Sequence, residues 1–179
     1  IHFAFLSDFL AAKGFKLLTA TNYIGQAAEM CFMLLVTVAM RKFGVKWSIV
    51  AGLVAMVVRY GAYYLGAGDM LPAIYVGILV HGIIFGFFIV GGQIFVGKSA
   101  PADMQSQAQG FYGLMTFGFG SLIGTFANNG LINFFTKRNA SGLLEGSWDK
   151  VWLVTLLCSL VLMVLMAVFF NPKLDEKKA

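Results

Sequence analysis

Apolar residues run for about twenty positions at a time along most of this chain, and polar residues gather in short groups between the runs. A helix crossing the hydrocarbon core of a bilayer needs about 20 such residues. The pattern therefore predicts spans at about 22–40, 47–65, 71–96, 107–135 and 151–170. An apolar stretch at about 1–12 reads as the end of one more helix, whose beginning would belong to a longer polypeptide. The connections at 41–46, 66–70 and 97–106 are short, and the one at 136–150 is the longest. The runs are continuous, whereas a transmembrane β-barrel is built from short alternating segments. The fold class expected is all-α, a polytopic membrane protein.

Composition sharpens this reading. Hydrophobic residues make up 59% of the chain, charged residues 12%, and the mean hydropathy is +0.82. A soluble domain holds about 45–50% apolar and about 25% charged residues. The net charge of +5 comes from scattered loop and tail residues, not from a basic stripe on one face, so no nucleic-acid partner is expected. Those charges bear on topology instead. Arg41, Lys42, Lys46, Lys98, Lys173, Lys177 and Lys178 fall on one side of the spans, against Lys13, Lys16, Lys137, Arg138 and Lys150 on the other. The excess marks the first side, with the C-terminus, as cytoplasmic. Cys31 and Cys158 lie in apolar runs and read as packing residues, with neither a disulfide framework nor a metal site expected. No nucleophile elbow, zinc-binding helix or phosphate-cradling loop is present, so the chain is not expected to be an enzyme or to need a cofactor.

The polar residues inside the apolar runs carry the candidate chemistry. Glu29 and Gln26 lie three positions apart and share one side of the first complete span. An ionisable group at that depth costs roughly 2.5–3.5 kcal/mol on insertion scales and marks a function by default. The amide donates and accepts, while the carboxyl accepts from hydroxyls or holds a proton. Together they suit a hydroxyl-bearing solute, with Glu29 as a candidate proton carrier; the plainer alternative is a hydrogen bond joining two helices. Arg59 is a second charge deep in a span and needs an acceptor, either Glu29 or backbone carbonyls. It reads as a structural charge in the membrane. His81 and Phe85 lie one turn apart in the third complete span, with Gln93 beyond them, a stripe able to stack on a planar ring or simply to pack. Gly110, Gly113, Gly118, Gly120 and Gly124 in the fourth span permit close helix approach.

Five motifs then occur in order: Ile24-Gly25-Gln26-Ala27-Ala28-Glu29, Arg41-Lys42-Phe43-Gly44, Val58-Arg59-Tyr60, His81-Gly82 through Gly92-Gln93-Ile94-Phe95-Val96, and Ala100-Pro101-Ala102 through Ala108-Gln109-Gly110. The set resembles the C-terminal half of the bacterial nucleoside:proton symporters, a branch of the major facilitator superfamily. The resemblance implies a C-terminal six-helix bundle: the tail of helix seven, then helices eight to twelve, with the N-terminal half absent. It also implies a multi-pass protein of the bacterial inner membrane. Gln26 and Glu29 match the family's nucleoside-contacting pair, and His81 and Phe85 match the helix-ten positions that stack on the base. Where the family usually has an aspartate before Phe-Phe, this chain has Gly86, and after the Gly-Gln motif it reads Val96-Gly97-Lys98 instead of Val-Asp-Lys. The first departure implies either that Glu29 alone titrates or that the cargo differs. The function expected is proton-coupled nucleoside uptake by alternating access, completed by the missing half of the same polypeptide. The alternatives are proton-coupled transport of another small polar solute, such as a sugar, and a non-transporting membrane receptor or assembly component.

Overall fold

A computed structural model describes residues 2–68, 70–140 and 142–172. Lys173, Lys177 and Lys178, used above for topology, lie outside the described residues. The elements are α1 (His2–Ala12), α2 (Leu18–Ala67), α3 (Leu71–Ser99), α4 (105–135), a hairpin of β1 (Thr136–Arg138) with β2 (Leu144–Gly146), and α5 (Trp148–Phe169). The all-α membrane fold expected from hydropathy is the one found, with the short hairpin as an addition.

Fifty residues of straight helix would extend about 75 Å, more than twice a bilayer core of about 30 Å. The 50-residue α2 avoids this by breaking at Gly44, where φ is 77° and ψ 168°. The direction of each arm follows from its contacts with α3. On the first arm Gly25, Ala28 and Phe32 meet Ile78, Gly82 and Gly86, so the two helices run parallel. On the second arm Gly52, Tyr63 and Gly66 meet Phe88, Gly77 and Ile74, so the order reverses. Gly44 is thus the tip of a helical hairpin, and α3 lies along both arms. The backbone region at Gly44 is open essentially to glycine alone and costs other residues about 1–3 kcal/mol. An added Cβ there would meet nothing within 4 Å, so strain is the whole effect. Gly44→Ala is expected to lower the melting temperature of the full-length protein, and an unchanged melting curve would contradict this turn geometry.

The packed core lies where α1, the second arm of α2 and α5 converge. Phe9, Tyr63 and Trp152 are each 0% exposed. Trp152 meets Phe9 edge-on, with ring centroids 5.1 Å apart, and stacks on Tyr60 at 6.1 Å. Aromatic pairs of this kind add about 0.5–1.5 kcal/mol beyond the area they bury. This cluster fixes the second arm, and with it Arg59.

Among the described residues, Leu18–Ala67, Leu71–Ser99 and Trp148–Phe169 are long and apolar enough to cross a membrane. The first covers two of the expected spans. Segment 105–135, which contains the fourth span expected at about 107–135, has the length but is not among the three. Its glutamines, asparagines and glycines dilute the apolar content. Most of it is exposed, and the Tyr112 hydroxyl donates to the Ile89 carbonyl of α3 at 2.9 Å. Both α3 and α4 carry a π-helical stretch, Ile84–Val90 and Leu114–Phe119. Cys31 and Cys158 stand exposed on helix faces and not in packed interior, because each lies on the side of its helix turned from the core.

Candidate functional site

Three of the polar residues found in the apolar runs meet at one place. Glu29 comes from the first arm of α2, Arg59 from the second arm, and His81 from α3, which passes between them. His81 Nδ1 contacts Arg59 Nη2, and His81 Nε2 contacts Glu29 Oε1. Arg59 is 3% exposed and His81 4%. The Glu29 side chain keeps 18% of its surface open. The three therefore form a line from the protein interior to the edge of the helix seam, with the carboxylate at the accessible end.

Local sequence explains the alignment. On the first arm Gly25, Glu29, Phe32 and Val36 recur at helical spacing along the side that meets α3. On α3 the facing positions are Ile78, Gly82 and Gly86. A Cβ at Gly82 would lie 2.4 Å from the Ala28 carbonyl, so two backbones touch here without a side chain between them. That contact sits beside His81 and Glu29 and sets their register. A Cβ at Gly86 would lie 3.3 Å from the Phe32 carbonyl oxygen. The position thus faces the backbone of the first arm.

The remaining candidates lie outside this contact. Gln26 is exposed one turn before Glu29, and Phe85 is half-buried one turn after His81. Gln93 is exposed farther along α3. Sequence reasoning offered Glu29 or backbone carbonyls as the partner of Arg59; the structure interposes His81 between the two charges. Tyr60 also stands within hydrogen-bonding reach of Arg59. The signal for the link was present, since each of the first three complete spans holds one intramembrane ionisable group. What the sequence lacked was the register between helices.

A model of the nucleoside H+ symporters matches residues 1–175. The chain belongs to the nucleoside H+ symporter family. It is 30% identical over 179 residues to YegT of Escherichia coli (strain K12), covering 98% of this chain and 42% of that protein. It is 28% identical over 154 residues to the nucleoside permease NupG of the same organism, covering 84% of this chain and 35% of NupG. The xanthosine permease of Escherichia coli (strain K12) is 26% identical over 157 residues, covering 87% of this chain and 36% of that protein. A crystal structure of the nucleoside transporter NupG superposes with a TM-score of 0.75 at 26% identity, over 94% of this chain and 42% of NupG. The structure of a point variant of NupG gives a TM-score of 0.79 at 24% identity and supports the fold alone, over 93% of this chain and 43% of that one. This symporter-family chain thus spans less than half the length of the relatives it matches. Those relatives are transporters or permeases by name.

Proposed function

We propose that this chain forms one wall of a proton-coupled nucleoside transporter in the bacterial inner membrane. The α1 helix would be the end of helix seven, and the rest helices eight to twelve, with the C-terminus cytoplasmic. Nucleoside and proton would move inward together as two bundles rock about a midplane site. Gln26 and Glu29 would hydrogen-bond the nucleoside, Phe85 would stack on it, and His81 would close the inner side of the pocket. The observation carrying this reading is the partly open Glu29 carboxylate at the end of a buried line of polar groups. A carboxyl built only to glue helices would have no reason to keep an open edge.

Uptake of radiolabelled uridine into vesicles bearing the full-length protein tests the proposal, with and without an imposed pH gradient. The parent should accumulate uridine when the outside is acidic. Glu29→Gln is expected to lose about tenfold or more of that accumulation, within the range of coupling free energies between linked sites. Equal accumulation by the two would overturn the coupling role of Glu29. A second reading, another small polar cargo, draws on Gly86 standing where the family resemblance has an aspartate. Competition by a nucleoside panel against a sugar panel separates the two.

A further inference from the structure

We infer that His81 is a positioning residue that leaves the transported proton to Glu29, taking none onto its own ring and favouring its release from the carboxyl, and that Arg59 imposes this through the opposite ring nitrogen. The inference rests on the proton-coupled reading above and gives His81 a task other than stacking on cargo.

A guanidinium has donors only. Where Arg59 Nη2 meets His81 Nδ1, that nitrogen must present its lone pair, so the ring proton sits on Nε2. Nε2, which then carries the ring proton, lies in contact with Glu29 Oε1. The imidazole is neutral with both nitrogens in use, and Nδ1 has no place for a second proton while the guanidinium occupies it. An arriving proton therefore bonds to the carboxylate of Glu29, giving a neutral acid, and the ring keeps its own proton. Release breaks that O–H bond and restores the carboxylate. The charge of the trio alternates between zero and plus one. Other groups facing the cluster do not compete for the proton: the second arm adds the phenols Tyr60 and Tyr63, and α5 adds Trp152. The charge change falls on the seam between the two arms of α2, where it alters the attraction drawing them to α3.

This ring chemistry can be read without any cargo. Solid-state 15N NMR of the histidine-labelled full-length protein in bilayers, with the His81 signal assigned by its loss in His81→Gln, should show a neutral Nε2–H ring throughout about pH 5–8, the range in which a free histidine changes charge. A doubly protonated ring, or the Nδ1–H tautomer, overturns the inference. Transport supplies the second arm. His81→Phe keeps the ring volume and removes both contacts, so the Glu29 carboxyl should hold its proton through the whole cycle. Gradient-driven accumulation should fall about tenfold further than uridine counterflow without a gradient, each taken relative to the parent. His81→Gln, able to accept from Arg59 and donate to Glu29, should restore a good part of it. Parental accumulation by His81→Phe, or equal loss of accumulation and counterflow in both variants, overturns the positioning role. Absence of any nucleoside movement in the parent would instead defeat the nucleoside reading, and the NMR result would stand apart from it.

Discussion

Gly82→Ala is expected to lower the melting temperature of the full-length protein by several degrees and to cut transport to a small fraction of the parent's. The new Cβ would lie 2.4 Å from the carbonyl carbon and oxygen of Ala28 and 2.7 Å from the amide nitrogen of Glu29. All three are backbone atoms of a helix, and none can rotate away as a side chain would. The first arm of α2 and α3 must separate, and they separate where His81 reaches Glu29. Overpacking a tight interior costs about 1–3 kcal/mol; a contact with rigid backbone belongs at the upper end. The polar contact between His81 and Glu29 beside it is stretched as well. Gly110→Ala is the control, because nothing lies within 4 Å of a Cβ there. Thermal unfolding followed by intrinsic fluorescence, with uptake measured in parallel, checks both variants. If Gly82→Ala melts and transports like Gly110→Ala, the backbone contact between the two helices is not as close as described.

Much of the fold was legible because a bilayer admits few solutions. Continuous apolar runs can only be helices, and the Arg41-Lys42-Phe43-Gly44 group had to reverse the chain. The reversal occurs at Gly44, within the connection expected. What hydropathy handled poorly was α4, where glutamine, asparagine and glycine serve helix packing while diluting the apolar signal. The cysteines misled for a related reason. An apolar run states that a helix is in lipid or protein, but not which side of it faces the core. The candidate site was legible as residue types and not as a pairing. Gln26, Glu29, Arg59 and His81 stood out because each is costly at its depth. That His81 would separate Glu29 from Arg59 depends on the offset of three helices, set by bare backbone at Gly82 and by the aromatic packing of Tyr60 and Tyr63 on Trp152. No local pattern encodes that offset.

Arg59→Leu is expected to be the most damaging single change in the cluster, and a second substitution is expected to repair part of the damage. Arg59 is 3% exposed and is the cation of the trio. Leucine fills much of its volume but leaves the His81 lone pair without a donor and the Glu29 carboxylate without a counter-charge. Removing the cation strands the carboxylate without its counter-charge, and that uncompensated charge is the main source of the loss. Adding Glu29→Gln removes that charge. The double variant should therefore be more stable than Arg59→Leu alone, and the two changes should fall well short of additive. Accumulation should stay lost in the double variant, because the proton-carrying group has gone. Four melting curves, for the parent, the two single variants and the double variant, give the interaction energy directly. Independent packing roles for Arg59 and Glu29 would make the losses add. Additive losses would show that the line through His81 carries no coupling between the two charges, and the positioning role assigned to His81 would fail with it.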